Sequence, residues 1–195
     1  MQKAKIAVLI SGSGSNLQAL IDACNSPDYP AEIVLVISNK AEAFGLERAK
    51  RANIATCIIS NKDYNARIEF DAAMHTKLLE HGIEIVCLAG FMRLLTPEFV
   101  NKWAKKMLNI HPSLLPAYKG LDTHARVLEA GETHTGATVH HVVAEMDAGE
   151  IIIQQSVVIE LHDTVKSLQG KVHKIEHIIY PIALKQIAQE HNNET

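Results

Sequence analysis

The sequence predicts an α/β fold: a mostly parallel, twisted sheet of about seven strands, with helices on both faces and an antiparallel C-terminal edge. Short runs rich in isoleucine and valine alternate with longer segments of helical periodicity, the pattern of strands and crossover helices. The runs 33–37 and 85–89 are apolar at every position, as expected for parallel strands covered on each side. With 195 residues, 47% of them hydrophobic, we expect one domain over residues 1–195.

The individual elements follow from local patterns along the chain. Asp63 is a suitable N-cap for the third helix and Gly82 a left-handed stop, whereas Pro181 lacks an N–H and should kink or split the last helix. The last two strands alternate in polarity, so we expect them to pair as the antiparallel edge. The predicted strands are 5–10, 33–37, 55–59, 84–89, 106–110, 136–143 and 151–159. The predicted helices are 15–26, 43–52, 63–82 and 164–190, with shorter ones near 97–103 and 123–130.

Composition argues against several classes of partner. A formal net charge of -3 and a pI near 6.4 give no broad basic face, so we expect no nucleic acid and favour a small phosphorylated ligand. The apolar run 6–10 is too short for a membrane span, so we expect no membrane contact. The three cysteines include no C-x-x-C pair, and the 11 histidines show no H-E-x-x-H spacing. We therefore expect a cytoplasmic protein without a metal, and most of its histidines, such as His140 and His141, to be surface or core residues.

A glycine-rich turn, Ser-Gly-Ser-Gly-Ser-Asn-Leu at 11–17, follows the first predicted strand and leads into a helix. Glycines allow close approach of backbone to a phosphate, and the helix N-terminus offers free N–H groups. A dinucleotide fingerprint is disfavoured because Leu17 stands in place of its third glycine, and the second strand ends at Ser38-Asn39-Lys40 without an acidic residue. A phosphate site is the favoured hypothesis, and a glycine turn without a ligand stays open.

Polar residues cluster after the fifth predicted strand. Asn109 and His111 are two apart, so they point to the same side, and Pro112 ends the strand at the carboxyl edge of the sheet. An amide donor beside an imidazole suits oxyanion stabilisation and proton transfer, although ordinary turn hydrogen bonds are an alternative. Asp147, in a later loop, is placed to reach such a histidine and favour its charged form. The alternative is that Asp147-Ala148-Gly149 is only a tight turn.

Five segments together resemble the folate-dependent phosphoribosylglycinamide formyltransferase family of purine synthesis, over nearly the whole chain. They are Ser-Gly-Ser-Gly-Ser-Asn-Leu-Gln-Ala-Leu-Ile-Asp at 11–22, Leu-Ala-Gly-Phe-Met-Arg-Leu-Leu at 88–95, Asn-Ile-His-Pro-Ser-Leu-Leu-Pro at 109–116, Gly-x-Thr-Val-His at 136–140 followed by Asp-Ala-Gly at 147–149, and Glu-His-x-x-Tyr-Pro at 176–181. The chain departs from the family pattern at His141, where an aromatic or aliphatic residue is usual, and at Glu150, where proline is common.

The resemblance implies transfer of a formyl group from 10-formyltetrahydrofolate, a cosubstrate, to the amine of 5'-phosphoribosylglycinamide by direct attack, without a metal. It implies a phosphate-binding half, 1–100, and a catalytic and folate-binding half, 85–195, in a monomer or homodimer. The implied catalytic residues are Asn109, His111 and Asp147. The implied substrate-binding residues are Gly14, Ser15, Asn16 and Glu176. The implied folate-binding residues are Arg67, Met92, Arg93, Leu94, Leu95, Val143, Ala144, Glu145 and Met146.

Three other functions were weighed against this one. Methionyl-tRNA formyltransferase and formyltetrahydrofolate deformylase are similar in the catalytic trio, but the glycine-rich turn favours a phosphorylated substrate over both. A catalytically silent phosphate-binding module is the alternative from outside enzymes, because a fold alone does not establish activity.

Overall fold

Seven strands form the centre of the protein in the computed structural model, which describes residues 3–194. The strands are β1 (Ala4–Ile10), β2 (Ala31–Ser38), β3 (Ala55–Ile58), β4 (Ile85–Leu88), β5 (Met107–His111), β6 (His134–His141) and β7 (Ile151–Val158). The helices are α1 (Ser15–Cys24), α2 (Phe44–Arg51), α3 (Arg67–Glu80), α4 (Pro97–Lys102), α5 (Thr123–Glu129) and α6 (Val165–Glu194), with a 3₁₀ turn at Asn61–Asp63. Each predicted strand and helix is present, with small differences at the ends.

The strand order is β3-β2-β1-β4-β5-β6-β7. The five strands β1 to β5 are parallel to one another, whereas β6 is antiparallel to both β5 and β7. The predicted α/β fold with an antiparallel C-terminal edge is therefore confirmed. After β1 the chain adds β2 and β3 on one side of that strand, and it then returns to add β4 and β5 on the other side. This reversal of strand order opens a crevice at the carboxyl ends of β1 and β4, where open α/β sheets bind their ligands.

Helices cover both faces of the sheet because alternate strand residues point to opposite sides. In β1, Ile6, Val8 and Ile10 pack against α1, α2 and α6, while Ala7 and Leu9 belong to the core under α3 and α4. All five side chains are fully buried. The sheet is thus sandwiched, which fixes the loops at its carboxyl edge relative to one another.

Of three predictions about helices, that for Asp63 was wrong, that for Gly82 was right, and of the kink or split expected at Pro181 the split is absent. Asp63 does not cap α3, because it lies in a separate 3₁₀ turn that Ser60 caps by accepting the Lys62 N–H at 3.2 Å. Pro181 does not split α6, which continues to Glu194 since buried residues on both sides of the proline hold it on the sheet. Gly82 does adopt the left-handed conformation, with φ 62°, directly after α3.

Within residues 3–194, none of the helices combines the length and apolar character that a membrane crossing needs.

Tyr180 ties α6 to the carboxyl edge of the sheet, and its removal provides a test of this packing. Its hydroxyl, fully buried, faces the carbonyl oxygens of Leu88 at 2.9 Å and Leu108 at 3.3 Å. Tyr180→Phe leaves these buried carbonyls short of a donor, so we expect the free energy of unfolding in urea to fall by about 1–3 kcal/mol. Tyr64→Phe, at a half-buried ring edge-on to Phe70, should cost much less. Equal losses in the two variants would contradict this role for Tyr180.

Candidate active site

The glycine-rich turn after β1 packs backbone against backbone. Gly14 is the N-cap of α1, with φ 69° in the left-handed region. A Cβ on Gly14 would lie 2.6 Å from the Cα of Gly45 in α2, so this close approach requires glycine. The Gly45 N–H also donates to the Gly12 carbonyl oxygen at 3.0 Å. The turn is therefore held rigidly over the end of the sheet.

The N-terminus of α1 faces outward beyond this turn, as the phosphate hypothesis requires. Gln18 is the first residue of α1 whose N–H makes a helical hydrogen bond. It donates to the Gly14 carbonyl oxygen at 2.9 Å. The earlier N–H groups, of Ser15 and Asn16 among others, are left for another acceptor by helix geometry. They lie at the positive end of the helix dipole, which favours an anion.

Asn16 and Glu176 meet from opposite ends of the sequence. The Asn16 amide donates to Glu176 Oε2 at 2.9 Å, and the Glu176 side chain on α6 is buried. Across residues 3–194 the Asn16 Oδ1 atom, also buried, has no hydrogen-bond partner. Such an orphaned acceptor is rare in folded proteins and suits a donor group on a ligand. The structure thus brings the four predicted substrate-binding residues, Gly14 to Asn16 and Glu176, to one place.

The segment after β4 is anchored at both ends. At its start the Met92 N–H donates to Ser11 Oγ at 2.8 Å, so it is tied to the glycine-rich turn. At its end the Thr96 N–H donates to the buried carboxylate of Asp71 at 2.6 Å. Between these anchors Met92 and Leu94 are 62% and 60% exposed, which is unusual for large apolar side chains. Arg67, the first residue of α3, lies one helical turn before Asp71 and is exposed, as is Arg93.

His111, at the end of β5, is buried with both ring nitrogens directed at oxygen atoms. Its Nε2 donates to the Tyr118 carbonyl oxygen at 2.9 Å, and its Nδ1 lies 3.5 Å from Asp147 Oδ2. Because a carbonyl and a carboxylate only accept hydrogen bonds, a ring that carries a proton on each nitrogen satisfies both contacts. The predicted approach of Asp147 to His111 is present.

Asp147 is held in a constrained loop. Its φ of 50° lies in the left-handed region, where aspartate is one of the tolerated residues. Gly149, two residues on, packs so closely on the His141 carbonyl that a side chain there would collide with it. Burial alone would raise the pKa of Asp147. The nearby His140, the hydrogen bond from the Gly120 N–H and the nearby His111 together outweigh burial and lower that pKa below its usual value.

His140 is part of this site, although the sequence assigned it to the surface or core. It lies directly opposite Asn109 in the antiparallel pairing of β5 with β6, so the two side chains share a face. Its Nδ1 donates to the His141 carbonyl oxygen at 2.8 Å. Its Nε2 lies 3.2 Å from Asn109 Nδ2 and 3.7 Å from Asp147 Oδ1. His140 therefore connects two members of the predicted trio.

The loop from Val143 to Met146 borders the same site. Val143 and Met146 are 41% and 51% exposed, so this loop adds apolar surface to that of the segment after β4. Glu145 pairs with Lys119 at 3.0 Å, on an exposed side of the loop, where such pairs add little stability. The predicted folate-binding residues thus form two exposed segments and one helix start.

Two clefts in the structure contain none of the trio. One of about 350 Å³ touches the glycine-rich turn only through Ser15 and contains none of the trio; it is lined by Ser15, Gln18, Ala19, Asp22, Arg48 and His177. Another of about 250 Å³ lies between α3 and α4. Over the described part of the chain, no group of three or more histidine, cysteine or acidic side chains could hold a metal ion.

Comparisons with known proteins identify the family of the chain. Residues 4–184 match the model of the family described as formyl transferase. The chain is 56% identical over 188 residues to a trifunctional purine biosynthetic protein adenosine-3 of Chironomus tentans, covering 95% of this chain but only 14% of that protein. It is 47% identical to a phosphoribosylglycinamide formyltransferase of Haemophilus influenzae, covering 93% of this chain and 85% of the relative.

A solved structure gives the same result in three dimensions. The crystal structure of a phosphoribosylglycinamide formyltransferase from Brucella melitensis superposes with a TM-score of 0.92 at 44% identity, and the match covers 96% of each chain. The chain spans less than a fifth of the length of the trifunctional relatives that it matches first.

Glu176 makes the stability of the protein depend on pH. Burial raises the pKa of its carboxyl, although the hydrogen bond from Asn16 and the nearby His173 oppose that rise. Because the folded chain holds this proton more tightly than the unfolded chain, the stabilisation is complete below the ordinary glutamate pKa, about 4.3, and is lost as pH rises through the folded pKa. Glu176→Gln stays neutral and can still accept from Asn16. We expect it to raise Tm by several degrees at neutral pH and to change Tm little near pH 4.

Thermal unfolding at the two pH values measures this difference. Glu190→Gln, an exposed substitution on the same helix, is the matched control and should leave Tm unchanged at both. A Glu176→Gln variant whose Tm shift is the same at neutral and acid pH would contradict the raised pKa.

Proposed function

The chain belongs to the formyl transferase family, and on that premise we propose that it transfers the formyl group of 10-formyltetrahydrofolate to the amine of 5'-phosphoribosylglycinamide, a step of purine biosynthesis. The observation that carries this proposal is the contact between His111 and Asp147, 3.5 Å apart at the carboxyl edge of the sheet, next to a helix N-terminus suited to phosphate. Neither feature alone would specify a phosphorylated acceptor and an acyl-type transfer.

The phosphate of the substrate binds at Gly14, Ser15 and Asn16 in this proposal. Their N–H groups and the dipole of α1 favour a dianion in a chain whose net charge is otherwise negative. The ribose lies towards Glu176, whose carboxylate accepts from a sugar hydroxyl. Another hydroxyl donates to the Asn16 Oδ1 atom, which has no hydrogen-bond partner among residues 3–194.

The folate binds between two exposed segments. Met92, Leu94, Val143 and Met146 supply apolar surface that a ring system would cover, which accounts for their exposure. Leu95, Ala144 and Glu145 complete the two segments. Arg67 and Arg93 supply positive charge for the anionic end of the cofactor. We assign phosphate binding to the half 1–100 and catalysis with folate binding to the half 85–195.

The reaction is direct attack. The amine nitrogen forms a bond to the formyl carbon, the bond from that carbon to N10 of the folate breaks, and one proton moves from the amine to N10. Between these events the carbonyl oxygen carries negative charge, which Asn109 and His111 stabilise by donating hydrogen bonds. Asp147 orients the His111 imidazole and accepts or relays the amine proton.

These donors are engaged by other groups of the protein. His111 donates to Tyr118, and Asn109 donates towards His140. We propose that, when the substrates bind, the formyl oxygen replaces His140 as the acceptor of the Asn109 amide and shares the His111 N–H with the Tyr118 carbonyl, since catalytic hydrogen bonds often form only in the complex. The free cysteines Cys24, Cys57 and Cys87 fit the reducing cytoplasm as the place of action.

A coupled assay tests the function against its alternatives. Loss of formyl from 10-formyltetrahydrofolate should depend on added 5'-phosphoribosylglycinamide. Loss that is equally fast without it would identify a deformylase instead. Folate binding with no loss in either case would identify a silent binding module.

Asp147→Asn should reduce turnover by about 10²–10⁴-fold, the range typical of a lost general acid or base. The amide keeps the size of the carboxylate but cannot hold a charge, and an NH₂ group in place of Oδ2 would face the Gly120 N–H and His111. Affinity for the phosphorylated substrate, which binds at α1 and α6, should change little. Steady-state rates at varied substrate give both quantities.

Asp163→Asn is the matched control for this substitution. Asp163 also accepts a backbone N–H, from Glu160 at 2.8 Å, and pairs with Lys171 at 2.6 Å, but in the loop before α6. Its substitution should leave turnover unchanged. Full activity in Asp147→Asn would refute the assigned role.

A further inference from the structure

One turn makes hydrogen bonds to both His111 and Asp147. In this turn, defined by residues Tyr118–Leu121, the Tyr118 carbonyl oxygen accepts from His111 Nε2 at 2.9 Å, and the Gly120 N–H donates to Asp147 Oδ2 at 2.9 Å. The same Oδ2 atom lies 3.5 Å from His111 Nδ1. A shift of the 118–121 turn would therefore move the imidazole and the carboxylate together.

The 118–121 turn does not hold this shape by local preference. Tyr118 has a φ of 56°, a left-handed conformation that a bulky residue rarely adopts, and Gly120 has a φ of 81°. Asp122, directly after the turn, has a φ of 56° as well. Residues in such conformations persist where surrounding contacts enforce them. The shape of the 118–121 turn must therefore be imposed by other parts of the chain.

Arg126, one helical turn into α5, makes those contacts. Its Nη1 donates to the Lys119 carbonyl oxygen at 2.7 Å and lies 3.3 Å from that of Leu121. Its guanidinium carbon lies 5.4 Å from the centroid of the Tyr118 ring, within cation–π range. A single side chain thus contacts three of the four residues of the 118–121 turn.

Other contacts to the turn restrain it less directly. The Tyr118 hydroxyl donates to Glu132 at 2.7 Å, but this fixes the end of the ring and not the backbone. Lys119 pairs with Glu145 at an exposed position, where ion pairs contribute little. Unlike the contacts of the Tyr118 hydroxyl and the Lys119 side chain, the hydrogen bonds of Arg126 go to backbone oxygens of the 118–121 turn.

We infer that Arg126 is a positioning residue for formyl transfer: it acts through the 118–121 turn to hold the imidazole of His111 and the carboxylate of Asp147 in the correct relative positions. The inference rests on the proposed function for its activity readout. Its structural part, the effect of Arg126 on the Gly120 N–H, can be measured without any substrate.

Arg126→Ala should lower kcat by about tenfold, because small displacements of catalytic groups have effects of this order. KM for the phosphorylated substrate should stay the same, since Gly14 to Asn16 and Glu176 lie on α1 and α6. The Gly120 amide should exchange with solvent faster, because its hydrogen bond to Asp147 is loosened. Arg126→Lys keeps a charged donor that can reach the same carbonyls, so most of the lost kcat should return.

Arg51→Ala is the matched control. Arg51 also lies over an aromatic ring, that of Phe44 at 5.9 Å, on an exposed helix. Its removal should leave both kcat and Gly120 exchange unchanged. An unchanged kcat in Arg126→Ala, or a loss that Arg126→Lys does not recover, would overturn the inference. If the unaltered chain transfers no formyl group, the proposed function fails, and unchanged Gly120 exchange in Arg126→Ala would then overturn the role of Arg126 separately.

Discussion

The carboxylate of Asp147 is the point at which three parts of the chain meet. One of its oxygens accepts the Gly120 N–H and faces His111, and the other faces His140. These groups come from the turn after β5, from the end of β5 and from β6. In a buried site with a low local dielectric, each contact is strong when made and costly when lost. The position of one side chain therefore decides whether the imidazole and the amide of the trio are aligned.

The backbone around this carboxylate adopts conformations that are locally unfavourable. Asp147 itself lies at positive φ, and so do Tyr118 and Asp122 on the facing turn. Gly149 packs tightly against the His141 carbonyl, so the loop cannot easily change its conformation. The proposed phosphate end of the site is built differently, from a glycine turn and a helix N-terminus on other elements. Binding and chemistry can therefore be perturbed separately, which makes the role of each residue measurable.

Sequence reasoning reached the parts of the site that depend on local pattern. Asn109 and His111 could be placed because a strand spaces them by two and Pro112 ends it. The glycine turn could be placed because it follows an apolar run. His140 was missed because its role depends on the register of β6 against β5, which no local pattern contains. The supporting groups of Tyr118 and Gly120 belong to the backbone and leave no side-chain signal. Asp63 was misassigned because a separate 3₁₀ turn precedes α3.

A double-substitution cycle on the transfer rate tests most directly whether His111 and Asp147 act as one unit. The rates required are those of the parent chain, His111→Ala, Asp147→Asn and the double variant, all with 10-formyltetrahydrofolate and 5'-phosphoribosylglycinamide. Groups that act together lose their effect together, so the double variant should be about as slow as the slower single variant. A double variant slowed by the product of the two single effects would show independent roles and contradict the account.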